Sequence, residues 1–250
     1  MRKTVLFSVV LPVAALLLFV GTQAANAQKG GAQLSESQQM RRETYLGKDT
    51  TLKTALVGSV TVGYASKSDY DNDKRPVSPT ITLVRGASIT HTLTVTHSSK
   101  VFIRGGRIGY RERNFYGGEV LAGDTSSVVF TGGTAYTLSA TQQSIATLTG
   151  GTILSSILVG EQGTMNVKGG MVKGDFIVGP GGTLNLFGAN LSKRRVRRGE
   201  AGYDSTRADQ EEQYVLSGTL RDGTSIAGKT LRVGRESGSK VNFIQGPLHD

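Results

Sequence analysis

GTMNVKGGMVKGDFIVGPGGTLNLFG, the sequence of Gly163–Gly188, contains one repeat unit and the start of the next. The hexapeptide Thr164–Gly169 (TMNVKG) recurs 19 residues further along as Thr183–Gly188 (TLNLFG). In both copies apolar residues alternate with polar ones, and a glycine ends the run. A fixed period of this length with period-two alternation is typical of stacked β-repeats and not of a compact globular domain.

The same unit can be followed through six glycines along the chain. Their separations are 19, 27, 18, 19 and 19 residues, and they are Gly86, Gly105, Gly132, Gly150, Gly169 and Gly188. The separation of 27 is a 19-residue unit with an eight-residue insertion. Four and two residues before each glycine, and three after it, the chain is apolar at every position except Thr82. Side chains two residues apart lie on one face of a strand, and glycine permits the corner that follows.

We therefore predict an all-β fold, a single-stranded parallel β-helix of about six 19-residue coils closed by a C-terminal β cap. Equivalent strands of successive coils would stack about 4.8 Å apart, so that their apolar side chains form a shared interior. The helix is predicted to be right-handed. A left-handed helix also has short coils, but the sequence has no regular hexapeptide period.

Four segments follow from this pattern. Residues 1–27 have a basic start, an apolar stretch and an Ala-Asn-Ala site, which predict a secretory signal peptide cleaved near Ala27. Residues 28–79 are a polar segment with a strand or hairpin and a charged loop. Residues 80–192 form the β-helix. Residues 193–250 comprise a basic loop and three capping strands.

Composition narrows the classes of function. The chain has 34 glycines in 250 residues, no cysteine and a formal net charge of +10. The absence of cysteine excludes thiol chemistry and cysteine-based metal sites. A basic exported protein is expected to meet anionic polysaccharide or other cell-envelope components, and export argues against a specific nucleic-acid target. No membrane span is expected after signal cleavage.

At the repeat units the sequence resembles a known group. SKVFIRGGRIG, SSVVFTGGTA, SIATLTGGTI and GTMNVKGGMV are similar to the S-x-V-N-I-S-G-G-x-I coils of secreted bacterial β-helix proteins of the planctomycete and cyanobacterial type. The resemblance spans about residues 76–226 and implies an extracellular repeat scaffold. Many such proteins end in a hydrophobic sorting tail with a Pro-Glu-Pro motif, whereas this chain ends in GPLHD.

Two places where the repeat is interrupted are candidate binding loops. The insertion combines cationic and aromatic side chains that could contact sugars or anions; its candidate residues are Tyr110, Arg111, Arg113, Phe115 and Tyr116. The basic loop could bind an anionic polymer through charge; its candidate residues are Lys193, Arg194, Arg195, Arg197 and Arg198. In both cases the alternative is an ordinary solvated or packed surface segment.

Other motifs do not form a recognisable site. Asp69–Asp73 resembles the start of a calcium loop, but Lys74 and Thr80 occupy the positions that need glycine and glutamate. Asp124 and Asp175 are the only obvious coil aspartates, and the alignment does not pair them. We expect no catalytic residue, no metal and no cofactor.

The sequence thus predicts a secreted structural or adhesion protein of the cell envelope or extracellular matrix, which could self-associate through the ends of its helix. Two alternatives are a polysaccharide lyase or hydrolase built on a β-helix and a binder of anionic polymers that acts through the basic loop.

Overall fold

A computed structural model of the chain describes residues 43–72, 76–112, 115–235 and 238–248. The predicted signal peptide and the polar residues up to 42 lie outside the described residues, as does Arg113 of the insertion. The described chain is dominated by β-strands, which confirms the all-β prediction.

The strands, in chain order, are β1 (Glu43–Leu46), β2 (Thr50–Leu52), β3 (Ala55–Leu56), β4 (Ser59–Val62), β5 (Thr80–Leu83), β6 (Ser88–Ile89), β7 (Leu93–Val95), β8 (Lys100–Ile108), β9 (Tyr110–Glu112), β10 (Phe115–Gly117), β11 (Glu119–Ala122), β12 (Ser127–Ala135), β13 (Thr137–Ala140), β14 (Ile145–Leu148), β15 (Thr152–Ile153), β16 (Ile157–Val159), β17 (Thr164–Val167), β18 (Met171–Val172), β19 (Phe176–Val178), β20 (Thr183–Arg195), β21 (Glu211–Leu220), β22 (Thr230–Gly234) and β23 (Lys240–Gln245). A short helix, α1 (Lys67–Asp71), follows β4.

Most of these strands belong to three parallel ladders. The first runs β1, β4, β7, β11, β13, β16, β19, β22. The second runs β2, β5, β8, β12, β14, β17, β20, β23. The third runs β3, β6, β8, β12, β15, β18, because β8 and β12 continue around a corner. Consecutive strands of the chain belong to different ladders, in a recurring order. The architecture is therefore solenoid-like and compatible with a parallel β-helix.

The register of the ladders places the apolar repeat positions on top of one another. In the second ladder, Val128, Ala146, Met165 and Leu184 are successive partners, and each is fully buried. The same holds for the inward positions of the other two ladders, so that one continuous core runs along the stack. The sequence alignment is therefore correct for these coils.

The first predicted coil is shifted by one residue. Ile81 and Leu83, and not Thr82 and Val84, pair with the buried residues of β8 and point inward. A strand has a side-chain period of two, so a shift of one residue exchanges its two faces. The shift explains why Thr82 was the one polar exception in the alignment.

Parallel pairing also begins upstream of residue 80. The predicted strand or hairpin over Thr54–Tyr64 is two strands, β3 and β4, which do not pair with each other but with β6 and β7. Within the predicted loop lies α1, whose N-terminus is capped because the Ser66 hydroxyl accepts the Asp69 N–H at 3.1 Å.

The C-terminal strands are present as predicted, but they play different roles. β22 and β23 extend the first and second parallel ladders. β21 is antiparallel and lies between β20 and β22. The predicted basic loop is partly strand, since β20 continues to Arg195 and pairs with β21. Without this extension one edge of β21 would lack hydrogen-bond partners, which its backbone groups need.

At one of the three corners of the stack, three coils each have a residue with left-handed backbone conformation and, two positions later, a buried serine. The left-handed residues are His97, Asp124 and Gln142, with φ between 53° and 56°, and the serines are Ser99, Ser126 and Ser144. The Ser126 hydroxyl donates to the Val95 carbonyl at 3.0 Å, and the Ser144 hydroxyl donates to the Ala122 carbonyl at 2.9 Å. These serines therefore join each coil to the one before it.

Candidate functional site at the C-terminal end of the stack

The insertion forms a small β-hairpin that leaves the stack between β8 and β11. Its strands, β9 and β10, are antiparallel, with Tyr116 opposite Arg111 and Gly117 opposite Tyr110. The predicted basic loop, residues 193–198 and here called the basic segment, begins in the last residues of β20, four ladder steps beyond β8. The structure therefore does not bring the two predicted binding segments onto the same coil.

The first half of the basic segment is held by β21. Lys193 Nζ lies 4.3 Å from the centre of the Tyr214 ring, a cation–π contact. Arg195 lies 3.8 Å from the Glu212 carboxylate, whose other neighbour is the Tyr214 hydroxyl. Lys193 and Arg195 thus lie side by side along one face of the β20–β21 pair.

The second half is organised around Glu200. Arg194 donates to the Glu200 carboxylate at 2.8 Å, and the Arg197 backbone N–H donates to it at 3.2 Å. The bond from Arg194 and then the bond from Arg197 lower the pKa of Glu200. Arg194 is consequently matched by a carboxylate, whereas Arg197 and Arg198 are exposed beyond the strand end.

A hollow of about 620 Å³ opens where the stack ends, and we refer to it as the terminal notch. Its lining comprises Lys193, Arg195, Glu212, Val233, Gly234, Arg235, Gly238, Ser239 and Val241. The end of β20, the start of β21 and the end of β22 form its walls, and the start of β23 forms its remaining side. Among the described lining residues, three cationic side chains and one carboxylate therefore surround two half-buried valines that pack against the core.

Beside the notch, a network of charged side chains fixes β22 to its neighbours. The largely buried Arg232 lies 3.2 Å from Asp175, which precedes β19, and 3.9 Å from Glu211 of β21. Arg207 lies 3.3 Å from Glu211 on the other side. The side chains of Arg232 and Glu211 are largely buried, whereas those of Asp175 and Arg207 are 38% and 50% exposed.

The coil aspartates occupy different corners. Asp124 follows β11 and accepts the His97 N–H at 3.0 Å, while Asp175 follows β18 and contacts Arg232. They do not form the pair of facing carboxylates that glycoside hydrolysis uses. In the part of the chain that the structure describes, no cluster of three histidines or carboxylates has the arrangement of a metal site.

Sequence reasoning identified Lys193 and Arg195 but missed the other side of the notch. Val233 and Arg235 are brought to the basic segment by the antiparallel insertion of β21 between β20 and β22, and Val241 by the parallel pairing of β23 with β20. No local pattern encodes that long-range pairing. The alternation in Lys240–Ile244 (KVNFI) could have indicated Val241 as an inward residue, but not which residues lie opposite it.

Comparisons of the chain with protein-family models, with curated proteins and with solved structures found no match. Among the described residues no helix is both long and apolar enough for a membrane span.

Proposed function

We propose that this protein is a secreted scaffold of the bacterial cell envelope or extracellular matrix, built on a right-handed parallel β-helix whose 19-residue coils display interaction surfaces at its C-terminal end. The proposed role is structural or adhesive. The resemblance of the coils to secreted bacterial β-helix repeats supports this reading, and so does the predicted signal peptide.

The observation that carries the proposal is the partial exposure of apolar residues at the C-terminal end of the core. Val233, Val241 and Phe243 pack against the core but are only half-buried, unlike the inward residues of earlier coils. A stack buries its apolar residues by adding coils, so a last coil that leaves them accessible favours association with another molecule.

The proposal is tested with the purified chain from residue 28 onward and isolated envelopes of the bacterium that encodes it. We expect saturable retention of the protein by the envelopes and no release of sugar from acidic polysaccharides. Retention no greater than that of an unrelated basic protein would contradict the scaffold role. Release of reducing or unsaturated sugar that is lost in Asp124→Ala or Asp175→Ala would instead establish the enzyme alternative.

A second candidate, the binding of anionic polymer through the basic segment, is favoured by the exposure of its cations. Arg194 and Arg195 have side chains 64% and 62% exposed although both lie in a strand. Retention on a heparin column should then weaken when Lys193, Arg195, Arg197 and Arg198 are replaced by glutamine. The matched control replaces Lys48, Lys53, Lys100 and Lys173, which lie on other coils. Equal losses in both variants would show only a response to net charge.

A further inference from the structure

We propose that the terminal notch binds an extended acidic peptide, which adds as a further strand to the free edge of β23. The inference deepens the proposed scaffold function, on which it rests, by naming the class of partner. Three observations carry it: an unpaired strand edge, an accessible apolar floor and a surplus of positive charge.

The first observation is the edge of β23. Its even-numbered residues bond to β20: the Lys240 N–H donates to the Gly182 carbonyl at 2.8 Å, and the Gly246 N–H donates to the Gly188 carbonyl at 2.9 Å. In a β-strand the N–H and C=O groups of one residue point to one edge, and those of the next residue point to the other edge. The N–H and C=O groups of Val241 and Phe243 therefore point away from β20. No strand among the described ranges pairs with β23 on that side.

The second observation is the apolar floor beside that edge. Val241 and Phe243 of β23 and Val233 of β22 are half-buried against the core. Alternate side chains of an added strand would lie on the same side as Val241 and Phe243 and would cover them. Strand addition of this kind takes affinity from main-chain hydrogen bonds and specificity from alternate side chains.

The third observation is charge. Lys193, Arg195 and Arg235 are exposed around the notch, and Glu212 is the single carboxylate among the described residues of its lining. That carboxylate is already engaged by Arg195 and Tyr214. The side chains of an added strand that lie beside these cations are therefore expected to be acidic. A sugar polymer would lack the regular main-chain donors and acceptors that match a β-strand edge.

The experiment measures fluorescence anisotropy of a labelled peptide, Asp-Val-Asp-Val-Asp-Val-Asp, with the purified chain. Two N-methylated versions carry the methyl groups on all valines or on all aspartates. In a strand these two sets of N–H groups point to opposite edges, so only one set can face β23. We expect one version to lose binding and the other to retain it. Equal binding of both versions, or loss in both, would overturn strand addition.

Charge and sequence order are tested in the same assay. Lys193→Glu with Arg195→Glu should weaken binding at least about ten-fold, whereas Arg197→Glu with Arg198→Glu, the same change of charge outside the notch, should change it less than about two-fold. A peptide of the same composition in the order Asp-Asp-Asp-Asp-Val-Val-Val should not bind. Binding of that peptide, or binding of heparin with none of the alternating peptide, would overturn the proposal. Envelope retention is measured separately, so it can persist when the peptide fails.

Discussion

The two glycines of each Gly-Gly pair have different roles at the corner that follows the second ladder. The second glycine has a positive φ in four successive coils; these residues are Gly106, Gly133, Gly151 and Gly170, with φ between 83° and 88°. The repeat was aligned on the first glycine, yet the second has the conformation that side chains rarely adopt. Any β-carbon there would also meet the neighbouring coil.

Gly151→Ala should therefore destabilise the protein strongly. A β-carbon at this position would lie 2.6 Å from the Phe130 ring and 2.8 Å from the Gly133 carbonyl oxygen. Backbone strain and displacement of a buried ring should together lower the free energy of unfolding by roughly 2–4 kcal/mol. Urea unfolding measures the change.

The control is Gly160→Ala, where no atom lies within 4 Å of the added β-carbon. It should change the free energy of unfolding by less than about 1 kcal/mol. Similar losses in the two variants would show that the corner does not require glycine.

At the other end of the described chain, Tyr45 bonds to a carboxylate that is also paired with a lysine. Its hydroxyl donates to Glu43 at 2.7 Å, and Lys67 lies 3.1 Å from the same carboxylate oxygen. Burial, and then the bond to Glu43, raise the pKa of Tyr45 to about 12. The bond from Tyr45, and then the bond from Lys67, lower the pKa of Glu43.

This environment predicts a loss of stability in alkali. The folded protein binds the phenol proton more tightly than the unfolded chain, so the contribution is present below the ordinary pKa of 10.0 and is lost as the pH rises from there towards about 12. Thermal unfolding midpoints of the wild type should fall through this window, and Tyr45→Phe should reduce the fall. Tyr203→Phe serves as the control. An identical alkaline profile in Tyr45→Phe would contradict the assignment.

At the scale of the strand, three asparagine side chains form an asparagine ladder on the outer face of β17, β20 and β23. The Asn185 amide donates to the Asn166 carbonyl oxygen at 2.8 Å, and the Asn242 amide donates to the Asn185 oxygen at 2.8 Å. Asn166 in turn points its amide at the Thr147 hydroxyl at 3.5 Å. The ladder thus ties β23 to the coils before it through side chains as well as backbone.

The decrease in the free energy of unfolding when an asparagine is replaced should depend on its position in the asparagine ladder. Asn185→Ala removes two side-chain hydrogen bonds and should cost about 1–2 kcal/mol, while Asn242→Ala removes one and should cost about half as much. Chemical denaturation of the two variants and the wild type measures both values. A larger loss for Asn242→Ala would show that the ladder does not act as a chain of equivalent bonds.

These elements also show how far the sequence could predict the fold. Periodicity placed the inward residues from Val101 to Val178 correctly, because each coil repeats the same local pattern. It placed Thr82 wrongly, since one extra residue before Ile89 shifts the register without changing composition. A strand was predicted where β21 lies, but its antiparallel pairing was not, because its partners are distant in the chain, and the terminal notch was therefore not predicted either.

For the molecule as a whole, the three ladders make stability a sum of contacts between neighbouring coils. Equivalent inward residues of neighbouring coils are partners in these ladders, as Ala146 is of Val128 and Met165. In such arrays a local defect mainly destabilises the adjacent repeats, and the terminal repeats can unfold locally while the others stay folded. The terminal notch lies in the last described coil, whose strand β23 pairs with a neighbouring coil on one edge only. A strand added to the other edge would give this coil a second neighbour.

Two leucine truncations test this dependence on position. Leu148 in the middle of the stack and Leu231 in β22 are both fully buried. Leu148→Ala should cost about 2–5 kcal/mol of global stability, because the cavity separates the two halves of the core. Amide hydrogen exchange should then rise in strands on both sides of it. Leu231→Ala leaves a cavity of the same kind but should raise exchange mainly in β21, β22 and β23, with earlier coils unchanged. Exchange that rises equally along the entire stack in Leu231→Ala would mean that the last coil unfolds together with the rest, and a strand added to β23 would then stabilise the whole protein instead of its end.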